Sequence, residues 1–178
     1  MTMGPRLRKV ALTAHVTASV GWLGAVAGSL ALAIAGLASQ DARVVRASYV
    51  TLEVTGWFVL LSLASLITGL VQSLATRWGL FRHYWILAKL FINVLATVVL
   101  LMYMQTLSHL AGIAADTTSA TDDLSGLRSP SPVIHSAGAL LLLLTATALS
   151  IFKPPGMTRR GQRRQHDQRA VSQQAMRQ

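Results

Sequence analysis

Few side chains in this chain can do chemistry: five histidines, six acids and, of its three lysines, Lys89, which alone lies within an apolar run. Four of the histidines, His15, His83, His109 and His135, join Glu53 and Lys89 within or at the ends of long apolar segments. An ionisable group in such a segment is costly and tends to turn towards a protein interior, so each is a candidate site residue. They form two layers. His15 and Lys89 each lie about 7 to 8 Å inside one end of their segment, with Gln72 and His83 flanking them. Glu53 lies about 6 Å and His135 about 3 Å inside the opposite end, with His109 just beyond it. Two neutral imidazoles and a carboxylate suit zinc, copper or iron with one coordination position open. Two imidazoles on opposite sides of a plane suit haem b, whose propionate Lys89 could neutralise. No spacing here is diagnostic of either cofactor. The alternative is structural: His83 and His109 as interfacial rings, His15 and Glu53 as interhelical hydrogen-bonding groups, Lys89 snorkelling to the surface.

Four apolar runs must position these groups. They span Val10 to Leu37, Tyr49 to Ala75, Tyr84 to Leu107 and Val133 to Phe152, each at least the roughly 20 residues needed to cross about 30 Å of hydrocarbon. The expectation is an all-α fold, a four-helix transmembrane bundle over residues 1–153 followed by a basic, disordered cytoplasmic tail over 154–178. With 178 residues, 52% of them hydrophobic and only 12% charged, no stretch remains for a second globular domain. Span 1 also has a basic start and the small-x-small ending Gly36-Leu37-Ala38, but its apolar run exceeds a signal-peptide core, so it is expected to be retained.

The cations report orientation. Arg6, Arg8 and Lys9 precede span 1, Arg77 and Arg82 separate spans 2 and 3, and seven follow span 4, whereas the other two connections hold only Arg43, Arg46 and Arg128. Lys and Arg beside span ends stay inside, so both termini are expected to be cytoplasmic and the protein multi-pass in the plasma membrane. The net charge of +10 is therefore topological, and the basic tail would meet anionic lipid rather than nucleic acid. Absence of cysteine excludes disulfides and thiolate metal sites. No nucleophilic triad, phosphate-binding loop, HExxH or dinucleotide fingerprint occurs, which disfavours a soluble-type enzyme.

Span 1 is rich in small residues. Gly21, Gly24, Ala25 and Gly28 include a GxxxG, a face that a neighbouring helix can approach closely. Ser19 and Trp22 stand four and seven residues after His15 and share its face. Short loops, Ala38 to Ser48 and Thr76 to His83, make spans 1 to 3 antiparallel neighbours. The longest loop, Ser108 to Pro132, is small and polar, without a core of its own, and is expected to be mobile. Trp57, Trp78, Trp85, Tyr49 and Tyr84 read as interfacial anchors.

Three stretches, His15-Val16-Thr17-Ala18-Ser19-Val20-Gly21-Trp22-Leu23-Gly24, Trp78 through Leu90, and Lys153-Pro154-Pro155-Gly156-Met157-Thr158, resemble uncharacterised four-span integral membrane proteins of actinobacteria over almost the whole chain. The resemblance implies membrane location and four helices, and supplies no catalytic residue. The resemblance implies a histidine in many relatives where this chain has Tyr103, which weakens a site that depends on an outer histidine near that position. A more distant analogy, in helix count and intramembrane histidines, links the chain to copper-resistance membrane domains and b-type cytochrome bundles. The leading expectation is a non-enzymatic membrane module binding haem or a transition metal. The alternative is a structural subunit packing through span 1 against a second copy or another membrane protein. A small transporter subunit using Glu53 and Lys89 ranks third, because no span shows a break at its midpoint.

Overall fold

The computed structural model describes residues 4–75, 83–116, 125–152, 154, 156, 158, 162–163 and 172–176. The connection after Ala75, the middle of the long loop and most of the basic tail lie outside the described residues, and with them the expectations placed there. The main elements are α1 (Pro5–Ala38), α2 (Ala42–Gly56), α3 (Val59–Ala75), α4 (Tyr84–Ala115), a 3-10 turn (Ser125–Leu127) and α5 (Ser131–Phe152). Four helical segments, Pro5–Ala38, Ala42–Leu74, Tyr84–Ala115 and Ser125–Phe152, are long and apolar enough to cross a membrane. This all-helical set of four spans is the one expected.

The boundaries move for local reasons. Helix α1 begins at Pro5 rather than Val10, because proline at a first helical position supplies the right φ and lacks only an N–H that would have no partner there. Only Ser39, Gln40 and Asp41 separate it from α2, instead of a loop reaching Ser48. Asp41 caps α2 early by accepting the Arg43 N–H at 2.8 Å. Helix α4 continues past Leu107 to Ala115 because its Leu107, Leu110, Ala111 and Ala114 remain buried at helical spacing.

The second span is not one helix. It is interrupted at Trp57 and Phe58, midway along Ala42–Leu74, which overturns the expectation that no span is broken. Across the break the backbone bonds reach back three residues: Trp57 N–H to Val54 O, Phe58 N–H to Thr55 O, Leu60 N–H to Trp57 O and Leu61 N–H to Phe58 O. Local chemistry accounts for it. The hydroxyls of Thr51, Thr55 and Ser62 donate back to the carbonyls of Ala47, Leu52 and Val59, a pattern that bends helices, and Gly56 contributes poor helix propensity. Gly56 also lets Met104 come close: a Cβ there would sit 2.6 Å from its Sδ. Trp57 is 66% exposed at this central level, so it is not the interfacial anchor expected of it.

Helix α1 packs on α2, α3 and α5, and α4 packs on the same three, so α1 and α4 face each other across the bundle. The interior seam of α1 runs His15, Ser19, Trp22, Val26, Ser29, Ala33 and Gly36, alternating steps of four and three, the repeat that keeps one helix facing its neighbours. Trp22 and Val26 meet Ala96 of α4 and Leu143 of α5 in the central cluster. Towards the other end, Ala33, Val45, Tyr49, Leu52, Leu107, Leu110 and Ala114 form a second cluster that includes Leu127. The long loop therefore does contribute to a core, through the one apolar side chain of its 3-10 turn. Tyr49 is buried in that cluster, and its hydroxyl donates to the Leu127 carbonyl, so it too is a packing residue rather than an interfacial anchor.

Candidate functional site

The end of the bundle that carries Arg6, Arg8 and Lys9, the basic end, holds a polar seam between α1, α3 and α4. His15 is half-buried, and its Nδ1 lies 3.1 Å from the Ser65 carbonyl and 3.1 Å from Thr68 Oγ1. A carbonyl can only accept, so Nδ1 carries the proton. Thr68 agrees with this assignment: its hydroxyl donates to Ala64 O at 2.6 Å, which leaves the oxygen free to accept from His15. In the neutral ring Nε2 then bears the lone pair. The imidazole packs against Gly69, where an added Cβ would lie 3.0 Å from Cε1. Glycine at 69 is what lets the ring lie against α3.

Further contacts align α1 with α3. Ser19 and Ser65 share a hydroxyl hydrogen bond of 2.7 Å, and Gln72 donates from Nε2 to Ala11 O at 2.8 Å. Ser62 and Ser65 are almost completely buried, so the inward face of α3 is polar inside an otherwise apolar span. Sequence reasoning singled out Gln72 and passed over Ser62, Ser65 and Thr68. The signal was present in the three-and-four spacing of Ser62, Ser65, Gly69 and Gln72.

Helix α4 completes the seam from across the bundle. Lys89 is half-buried on the face that also presents Ile86, Ala96 and Thr97, and it is near enough to His15 to act on it electrostatically. Asn93 follows one turn later on that face, also half-buried, and was missed in the sequence. Neither Lys89 nor Asn93 has a hydrogen-bond or ion-pair partner among the described residues. Deeper in the bundle, Trp22 Nε1 and Thr97 Oγ1 are buried without a hydrogen-bond partner among the described residues, both on side chains 3% exposed. A buried polar group left unpaired costs about 1 to 3 kcal/mol, so this interior carries a surplus of unmet hydrogen bonds.

The other candidates are dispersed. His83 precedes α4 at its N-cap, with its ring 6.3 Å from that of Trp85. His109 is exposed on α4, and Glu53 is half-buried on α2 without a partner among the described residues. His135 is exposed, stacks on Tyr103 at 4.1 Å, and has its Nδ1 2.9 Å from the Ser131 carbonyl one turn earlier. Among the described residues no three His, Asp or Glu side chains form a group that could hold a metal ion, so Glu53, His109 and His135 do not converge. The packing glycines divide as well. Gly21 meets Leu61 and Ala25 is half-buried, whereas Gly24 and Gly28 are exposed, and a Cβ on either would meet nothing within 4 Å.

Two arginines expected only to mark topology have structural roles. Arg46 donates to the carbonyls of Ala114 and Asp116 at the end of α4, and Arg128 donates to those of Leu37 and Ser39 at the end of α1. Each places a cation on helix carbonyls that lack intrahelical donors. No protein-family model matches the chain, and neither curated proteins nor solved structures supply a match.

Proposed function

We propose that this is a multi-pass protein of the plasma membrane, with both termini cytoplasmic, that binds a ligand at the basic end of its bundle through His15. The supporting observation is the anchoring of His15: Nδ1 is occupied by the Ser65 carbonyl and Thr68, which orients the ring and leaves Nε2 for a ligand. A metal-bound histidine usually donates its other ring N–H to a carbonyl or carboxylate, so haem iron or a transition metal suits Nε2. The test is spectroscopic and elemental. Protein purified from its native membrane is expected to show a Soret band or a stoichiometric metal, lost in His15→Ala. A wild type with no visible absorbance and background metal would remove the haem and metal reading.

A second reading is favoured by Gly24 and Gly28. They face away from the chain's own packing seam, with open space where a side chain would go, which is the surface a close helix contact uses. The chain would then be a subunit that associates through α1 with a second copy or another membrane protein. Replacing both glycines with leucine should abolish crosslinked association. Association that persists would count against this role.

A further inference from the structure

Lys89 has no counter-charge in the seam it faces. The chain's six acids are Asp41, Glu53, Asp116, Asp122, Asp123 and Asp167, so α1, α3 and α4 contain none, and these are the helices that form the seam. An ammonium in a low-dielectric interior requires an acceptor, and the side chains of α1, α3 and α4 do not supply an anionic one. His15, at the same level across the bundle, is committed at Nδ1 and offers at Nε2 only a neutral acceptor. Asn93, one turn along α4, offers a carboxamide with no partner among the described residues. One layer deeper the indole N–H of Trp22 is buried and has no acceptor among the described residues. From Lys89 to Trp22 the interior therefore offers the ammonium neutral acceptors only, and no anion.

We infer that an oxyanion, a carboxylate or phosphate group, sits against Lys89 and Asn93 between α1, α3 and α4. This rests on the reading of the basic end as the ligand site and names the chemistry of its guest. Lys89 donates to the anion and neutralises it, the Asn93 amide donates a second bond, and His15 borders the site from α1. Charge-assisted bonds of this kind are roughly twice as strong as neutral ones, so Lys89 dominates recognition. The group can belong to an anionic lipid entering from the adjacent leaflet or to a free anion.

Thermal unfolding of the full-length protein in phosphatidylcholine nanodiscs tests this, with phosphatidylglycerol added in one arm and inorganic phosphate in another. At least one addition should raise the melting temperature of the wild type. A response to the lipid alone identifies a headgroup, and a response to phosphate alone identifies a free anion. Lys89→Met should weaken the response about tenfold or more, as expected when a charge-assisted bond is lost. Asn93→Leu should weaken it less, and Lys9→Met, a change at an exposed cation, should leave it intact. If Lys89→Met does not fold, Lys89→Arg must retain the response. A wild type indifferent to both additions, or a response unchanged in Lys89→Met, would overturn the inference. Loss of a Soret band or metal in His15→Ala is a separate readout, so either proposal can fail without the other.

Discussion

The two ends of the bundle use polar side chains in opposite ways. At the end holding Tyr49 and Arg128, polar groups bond backbone carbonyls where helices stop: Arg46 on α4, Arg128 on α1, and the Tyr49 hydroxyl on the 3-10 turn. Those bonds satisfy groups that every helix terminus leaves open. At the basic end the polar groups lie along helix interiors, where the backbone is already satisfied, and Lys89 and Asn93 there have no hydrogen-bond or ion-pair partner among the described residues. Structural need explains the first set of polar residues. It does not explain Lys89 or Asn93, and that difference locates the candidate site.

Breaking the capped end should cost the most stability. Tyr49 is 1% exposed and packs against Gly36, so Tyr49→Ala is expected to lose about 3 to 5 kcal/mol through the cavity and the lost hydroxyl bond. Denaturant titration in detergent would show this, and a loss below about 1 kcal/mol would mean that the 3-10 turn does not pack as described. Gly36→Val approaches the same contact from the other side. A Cβ added at Gly36 would lie 3.0 Å from the Tyr49 ring, so overpacking of about 1 to 3 kcal/mol is expected, detectable as a lower unfolding midpoint. Arg128→Ala should cost a similar or smaller amount, about 1 to 3 kcal/mol, by freeing the carbonyls at the end of α1. Faster hydrogen exchange confined to the last turn of α1 would localise that effect.

At the basic end the expected stability effects are smaller. Ser65→Ala removes the hydroxyl bond to Ser19 and leaves the carbonyl that holds His15 in place. Interhelical hydrogen bonds in membranes average about 0.6 kcal/mol, so this substitution should barely move the unfolding midpoint. A loss several times larger would show that the seam is structural after all, and would erase the contrast between the two ends.

The four spans were legible because length and hydropathy alone set the requirement for crossing hydrocarbon. The inward orientation of His15 was legible from its shared face with Ser19 and Trp22. The break at Trp57 was not, because Val54, Trp57 and Phe58 satisfy hydropathy as well as any helical residue, and the bend comes from hydroxyls donating to their own backbone. Arg46 and Arg128 were counted only as charge, since the carbonyls they reach lie far along the chain. Asn93 was hidden within an apolar run, although its spacing from Lys89 placed it on the same face. Glu53, His109 and His135 shared a layer but not a face, and depth alone does not bring side chains together.

Native mass spectrometry of the protein released from its own membrane tests the central claim most directly, because it needs no prior identity for the ligand. The wild type should carry a bound species that is lost in His15→Ala and in Lys89→Met and retained in His135→Ala. A wild type that appears as bare polypeptide, or a bound species lost equally from His135→Ala, would contradict the assignment of the site to the basic end.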